Sequence, residues 1–457
     1  MSERFDWKDQ RVLVLGMARS GVAVAELLCR QGAVPLLNDR KSEQELGDAL
    51  APLRGLPCEW HLGEEPIPLL DQSDVLLFSP GVPIDSPVVL AAREKGIPVT
   101  GELEVASQLA AGTLVALTGT NGKTTTVSLL GEIYRAAGKI AYVAGNIGYP
   151  LSAAAMKSKP EDMLVAEVSS FQLETTDTFH PRVAAVLNIT EDHLNRHYTM
   201  ENYIAVKRHI FHRMNGADTA VLNYDDPACR KMAEGLAAQV AWFSRTQEVE
   251  RGAFVKEGRI TLRWKGEEKP VCDVDEVYIP GPHNTENALA AAMMAYASGV
   301  PTAVIRHTLR TFKGVEHRIE FVRELDGVRW YNDSKGTNVD STIKAVQTMR
   351  APTVLILGGS DKHVSFDALA KEIMASGQIA RVVLCGATAP QIERALLDAG
   401  YTAIFRAERY PEMVKLCREL AQPGGNVLLS PACASFDQFT DYEQRGRVFK
   451  DLVNALV

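Results

Sequence analysis

The sequence predicts an α/β protein of three domains, each built on a mostly parallel sheet. Short apolar runs alternate with helical patterns along the whole 457 residues, the mark of parallel strands joined by crossover helices. Each apolar run ends in small, polar or charged residues, so chemistry falls at the carboxyl ends of strands, where open α/β sheets bind ligands. A chain of this length holds about three domains of ordinary size.

The first stretch, expected over 1–101, opens with RVLVLGMARSG (11–21): a strand, a tight turn, and then the helix VAVAELLCRQG. AVPLLNDR (33–40) and DVLLFSPGV (74–82) supply further strands of a Rossmann-like N-terminal domain. The turn carries Gly16, Ala18, Arg19 and Ser20, with Ala18 where a dinucleotide fingerprint has its middle glycine. Asp39 ends the second strand, where such folds place an acid near a ribose. A plain strand–helix turn accounts for the same residues. Ala18 argues against NAD in particular, because its side chain hinders close approach of a pyrophosphate.

The second stretch, expected over 102–314, contains LVALTGTNGKTTT (114–126). The common phosphate loop reads G-x-x-x-x-G-K-[ST], yet Leu117 stands where its first glycine belongs, and glycine comes instead at Gly119. The strand LVAL and the amphipathic helix TVSLLGEIYRAAG still place the loop where a helix N-terminus holds phosphate. Gly119 and Gly122 let the backbone approach oxygens, Lys123 adds a cation, and Thr124 offers a hydroxyl to Mg²⁺. A P-loop, ATPase-like central domain follows. Glu167 ends the strand of DMLVAEVSS, and Glu191, Asp192 and His193 follow that of VLNIT. Taken singly, each is an ordinary solvated acid or loop imidazole. Their shared position at strand ends beside the phosphate loop makes Glu167 and His193 candidate metal ligands, although Mg²⁺ ordinarily prefers oxygen donors to imidazole.

The third stretch, expected over 315–457 and Rossmann-like, has polar loops after its strands: NDSKGTN (332–338) and GGSDKH (358–363). Lys335, Thr337 and Lys362 are candidates for an anionic substrate; ordinary turn chemistry also explains these loops. In SPACASFDQFTDYEQRG (430–446), packing is expected to account for Phe436, Phe439 and Tyr442, but not for Ser435 and Asp437 among them.

Composition narrows the function classes. The chain is 46% hydrophobic and 23% charged, with a net charge of −8 and no Lys/Arg stripe, which argues against nucleic acid as the main partner. Its start, MSERFDWKDQ, is not that of a secretory signal, and no apolar run approaches the roughly 18 residues that span a bilayer. Seven scattered cysteines without a C-x-x-C pair favour reduced thiols, hence a cytoplasmic protein, expected as a monomer.

TGTNGKTTT, EVSSFQLE, NITEDHLNRH, HRIE, NDSKGTN and LSPACASFDQF together resemble the Mur ligases, ATP-dependent amide ligases that build the peptidoglycan peptide. The resemblance spans all three domains, and the shortened phosphate loop is that family's own form. The last motif favours the branch that adds D-glutamate to UDP-N-acetylmuramoyl-L-alanine through an acyl phosphate. The resemblance implies that domain 1–101 holds the UDP substrate with Gly16, Ala18, Arg19, Ser20, Asp39, Arg40 and Gly81, helped by Asn146. ATP would lie on Gly119, Thr120, Asn121, Gly122, Lys123, Thr124 and Thr125, with Asn284 and Asn287 near adenine and Arg318 and Asp333 near phosphates and ribose. Thr124 and Glu167 resemble ligands of one Mg²⁺. His193 resembles a ligand of a second, together with a carbamylated lysine, here Lys207. Lys123, His193 and Lys207 are thus the implied catalytic residues. D-Glutamate would be held by Thr337, Lys362, Ser435 and the backbone near Tyr442. Lys207 read without the resemblance is a solvated helix lysine. The competing readings are a ligase of this or the folylpolyglutamate type adding another amino acid, a nicotinamide-dependent dehydrogenase, and a nucleotide-dependent switch.

Overall fold

In the computed structural model, which describes residues 5–361 and 364–457, three sheets carry the chain. Two compact units contain them: residues 1–277 with 285–311, and residues 278–284 with 312–457.

The first sheet comprises β1 (Arg11–Leu15), β2 (Val34–Asp39), β3 (Glu59–Leu62), β4 (Val75–Phe78) and β5 (Val99–Gly101), all parallel in the order β3-β2-β1-β4-β5. The chain winds to one side of β1 and then to the other. The turn after β1 and the loop after β4 therefore flank the crevice where such sheets take ligands.

The second sheet begins with β6 (Thr113–Thr118), β7 (Ala141–Gly145), β8 (Met163–Glu167), β9 (Val183–Val186), β10 (Thr219–Asn223) and β11 (Gln239–Ser244), all parallel. These strands are near-continuous apolar runs because helices cover both faces, and Val115, Ala116, Leu117, Leu164 and Val165 are buried accordingly. Strand β6 lies between β8 and β9. Register sets Leu117 beside Glu167 and Thr118 beside Val186, so the ends of three strands converge on one level.

The sheet then extends through β12 (Gly252–Lys256), β13 (Arg259–Trp264) and β14 (Glu267–Asp273). The β12–β13 and β13–β14 pairs are antiparallel, an extension that the alternating strand–helix pattern did not predict.

The third sheet is β15 (Glu320–Leu325), β16 (Val328–Asn332), β17 (Thr353–Leu357), β18 (Ile379–Leu384), β19 (Ile404–Arg406) and β20 (Asn426–Leu429), in the order β15-β16-β20-β17-β18-β19. All its pairs are parallel except the hairpin β15–β16. One expectation fails here. Phe436 is 73% exposed, so packing does not account for it, whereas Phe439 meets the Tyr410 ring edge-on at 4.8 Å.

Gly252 marks the start of the extension. Its φ of 144° is one that side chains rarely adopt, and a Cβ there would overlap the Trp242 carbonyl. Gly252→Ala is expected to destabilise the first unit by about 2–4 kcal/mol in urea unfolding. An unchanged midpoint would show that the β11–β12 step yields readily.

Candidate active site

The phosphate loop is built by the end of β6 and closed by the helix Lys123–Ala136, whose N-cap is Gly122 at φ 84°. Two constraints exclude side chains from the loop. Gly119 has φ 148°, and a Cβ there would stand 3.0 Å from that of Leu187; one on Gly122 would run into Asn287 Oδ1.

The end of β9 fixes the other wall. Thr120 N–H donates to Asn188 O at 2.9 Å, Asn121 N–H donates to Asn188 Oδ1 at 2.9 Å, and Asn188 Nδ2 donates back to Asn121 O at 3.1 Å. Thr120 Oγ1 lies 3.1 Å from Tyr203 Oη and donates to Thr190 O. The Lys123 ammonium donates to Gly119 O at 2.9 Å and Thr120 O at 2.7 Å, and so folds over its own loop.

Polar groups lacking protein partners gather beside this loop. Glu167 is 3% exposed; Asn146 Nδ2 donates to its Oε1 at 3.1 Å, while its Oε2 is buried with no partner. Thr125 Oγ1, in the first turn of the loop's helix, is likewise buried without a partner, and Thr124 is buried next to it. The unpartnered Glu167 Oε2 and Thr125 Oγ1 are oxygen donors of the kind a hard divalent cation takes, so this corner of the loop fits Mg²⁺.

Lys207, in the helix Met200–Arg208, is 2% exposed and not solvated. Its amine donates to Gly119 O at 3.0 Å and Thr118 Oγ1 at 3.2 Å, and stands 4.7 Å from the centre of the Tyr203 ring. Burial, and then the nearby Lys123 charge, push its pKa well below the ordinary lysine value, while Asp192 and Glu167 pull the other way. His193 is half-exposed and left-handed at φ 55°, with its ring 4.9 Å from that of Phe171 and its Nε2 3.5 Å from Asp192 Oδ2.

In the first sheet the turn after β1 is pinned from two sides. Met17 N–H donates to Asp39 Oδ2 at 2.7 Å and Lys41 N–H to Asp39 Oδ1 at 2.9 Å. Asp39 therefore holds the backbone of the turn. Ser79 Oγ, after β4, donates to Gly16 O at 3.1 Å. Ala18, Arg19, Arg40 and Gly81 are exposed and Ser20 half-buried around this turn.

Asn284 and Asn287 differ in surroundings. Asn284 Nδ2 donates to Pro280 O at 2.7 Å, whereas Asn287 Oδ1 accepts from Thr126 Oγ1 at 3.2 Å and packs on Gly122.

In the second unit, Asp333 follows β16 and accepts from Ser430 Oγ at 2.7 Å and Ile319 N–H at 3.2 Å. Arg318 is close enough to act on it electrostatically and has a buried Nε without a partner. Arg445, 1% exposed, ties two predicted motifs together by donating to Ser334 Oγ and O, Cys433 O and Ala434 O. Ser334 Oγ donates in turn to Tyr442 O, and Lys335 Nζ is 5.5 Å from the Tyr442 ring centre. Thr337 N–H donates to Lys335 O, and Ser435 is buried. Lys362 lies outside the described residues. Asn188, Ser430 and Arg445 were not singled out from sequence. Asn188 and Ser430 do stand at apolar strand ends, which was the available signal.

A phosphate loop with a cation-ready acid beside it, on a three-sheet α/β scaffold, defines a nucleotide-dependent phosphoryl-transfer enzyme. Comparison with known proteins gives its family. Residues 10–101 match the model of the Mur ligase MurD-like N-terminal domain, 117–295 the Mur ligase middle domain, and 317–433 the Mur ligase glutamate ligase domain. The chain belongs to the Mur ligase family.

It is 47% identical over 451 residues to the UDP-N-acetylmuramoylalanine–D-glutamate ligase of Caldanaerobacter subterraneus, covering 98% of this chain and 99% of that one. It is 44% identical to the ligase of the same name from Clostridioides difficile, covering 99% and 100%. Among solved structures it resembles UDP-N-acetylmuramate-alanine ligase MurC of Thermotoga maritima (TM-score 0.61, 18% identity, 98% and 99% covered). It also resembles MurF of Acinetobacter baumannii (TM-score 0.62, 18% identity, 93% and 91% covered). Mur ligases are ATP-dependent and need Mg²⁺.

Burial raises the Asp333 carboxyl to about 6, against the pull of Ser430 and Arg318. The native state thus holds this proton more tightly than an unfolded chain, whose Asp titrates near about 3.9. The stability it contributes is full below that value and is lost as pH rises through about 6. Between about pH 4.5 and 7.5, urea unfolding should shift relative stability toward Asp333→Asn by about 2 kcal/mol. A difference independent of pH would contradict the raised pKa.

Proposed function

We propose that the chain joins D-glutamate to UDP-N-acetylmuramoyl-L-alanine, cleaving ATP to ADP and phosphate, in peptidoglycan precursor synthesis. The observation that carries this reading is the phosphate loop with its buried, half-unpartnered Glu167, set in a chain whose relatives of the same length bear that ligase name.

The alanyl carboxylate attacks the γ-phosphorus of ATP in line, giving an acyl phosphate and ADP. The amine of D-glutamate then attacks the acyl carbon, the tetrahedral intermediate collapses to the amide, and phosphate leaves with the former carboxylate oxygen.

Two anions must meet in the first step, so charge neutralisation and alignment dominate. The glycines at 119 and 122 leave room for phosphate oxygens, and Thr120, Asn121 and Thr125 line the loop. Lys123, whose ammonium rests on the Gly119 and Thr120 carbonyls, would turn to the phosphates. Thr124 and Glu167 would hold one Mg²⁺, with Asn146 orienting Glu167. When bound, the metal neutralises the transferring group.

A second ion is proposed at His193 and Lys207. Addition of CO₂ to the neutral Lys207 amine, with loss of one proton, turns the side chain into a carbamate, an oxygen-donor anion. Deep burial supplies the required neutral amine. Asn284 and Asn287 are assigned to adenine, and Arg318 and Asp333 to ATP; Asn287 would act in part by bracing Gly122. The UDP portion falls to the turn after β1 and the loop after β4, with Asp39 shaping the turn and Arg19, Ser20, Arg40 and Gly81 exposed to ligand. D-Glutamate falls to Thr337, Ser435, the Tyr442 backbone and Lys362.

Among the described residues no helix is long and apolar enough to cross a membrane, and all seven cysteines are free.

Phosphate release from ATP, measured with UDP-N-acetylmuramoyl-L-alanine and each of several amino acids, should be fast only with D-glutamate. Preference for another amino acid would assign a different family member's reaction. For Lys207, ¹³CO₂ should give a carbamate NMR signal that Lys207→Arg abolishes. That variant should keep ATP binding yet lose about 10²-fold or more in turnover. Full activity in the arginine variant, or no carbamate signal, would remove the modified lysine from the mechanism.

A further inference from the structure

The segment after His193 shows a feature that the chemistry above does not use. The short helix Leu194–His197 is bracketed by two left-handed residues that are not glycine, His193 at φ 55° and Tyr198 at φ 66°. Such conformations cost energy in bulky residues and persist where neighbours hold them.

Packing does not hold Tyr198, which is 68% exposed. Its hydroxyl instead donates to Asp85 Oδ2 at 2.7 Å, in the loop that follows β4. This bond holds the Asp85 carboxyl below its ordinary range and the Tyr198 hydroxyl above its own.

Two residues earlier, Arg196 reaches the same loop by donating to Val82 O at 3.2 Å. The Arg196 guanidinium also donates to buried Glu174 at 2.5 Å, and it stacks 4.8 Å from the Phe171 ring centre. Phe171 also meets the rings of His193 at 4.9 Å and His197 at 5.6 Å. His197 is itself fixed by Ser170, 2.9 Å from its Nε2. A set of contacts thus runs from Val82 through Arg196 and the Phe171 ring, four residues along the chain from Glu167, to the His193 ring, while Tyr198 ties the same segment to Asp85.

We infer that Tyr198 and Asp85, with Arg196 on Val82, form a clasp that positions His193 according to the conformation of the loop seating the UDP substrate. This rests on the assignment of the loop after β4 to that substrate. Tyr198 and Asp85 are positioning residues that touch no reacting atom. The clasp makes binding of one substrate favour the correct placement of a group that serves the other.

Both side chains are exposed, so Tyr198→Phe and Asp85→Asn fold normally by circular dichroism. Each single change should raise the KM for UDP-N-acetylmuramoyl-L-alanine about 3–10-fold, lower kcat by a similar factor, and reduce the factor by which the UDP substrate tightens ATP binding. The double variant should be no worse than the poorer single one, because both remove the same bond. Calorimetric binding of the UDP substrate should weaken in parallel, which separates failure of the clasp from failure of the ligase reading. Unchanged KM and kcat, undiminished coupling between the two substrates, or additive losses in the double variant would overturn the inference.

Discussion

Placing a lysine amine beneath a phosphate loop, out of water, is the constraint around which the central site is arranged. Burying an ammonium costs several kcal/mol unless it is paired, and among the described residues Lys207 meets a carbonyl, a threonine hydroxyl and an aromatic face. Its two hydrogen bonds go to the last residue of β6 and the first glycine of the loop, so its state is coupled to the loop's geometry. A second cation, Lys123, lies near enough to disfavour its charge further. The arrangement makes sense chemically if the amine is neutral and ready to become an anion.

The rest of the site follows from parallel-sheet register. Because β6 lies between β8 and β9, Gly119, Glu167 and Asn188 reach the same edge of the sheet without any long-range design beyond strand pairing. Asn188 then holds two consecutive loop residues, and Asn287 closes on Gly122 from the other side. The loop is thus rigid before any ligand arrives, so ordering it upon binding costs little. In the second unit Arg445 has the same role: one buried guanidinium fixes the backbone of two loops and leaves Asp333 dry.

Much of this was legible in the sequence, for physical reasons. Strands covered on both faces are continuous apolar runs, which is why β1, β6, β8, β17 and β20 could be read directly. The glycines of the phosphate loop are required by backbone conformation, and so they left a pattern. The strands β12–β14 were not legible, because LRWKGEEK is a charged, half-exposed hairpin without the strand–helix alternation that identified the others. Asp39 was placed correctly at a strand end, but its acceptance of two backbone N–H groups depends on the curl of the turn. The exposure of Phe436 and the burial of Arg445 run against their chemistry, and only tertiary contacts decide them. The burial of Lys207 is the sharpest case. Its helix has a weakly amphipathic pattern, and on the residues alone the solvated lysine was the better reading; the family resemblance, not periodicity, raised the modified form.

The central claim is that the loop activates a carboxylate by phosphorylating it. Its most direct test uses UDP-N-acetylmuramoyl-L-alanine carrying ¹⁸O in the alanyl carboxylate, with ATP, D-glutamate and the intact chain. Mass spectrometry of the released phosphate should find one ¹⁸O atom per phosphate formed. Phosphate devoid of label, formed together with amide product, would contradict an acyl phosphate intermediate and the roles assigned to the loop.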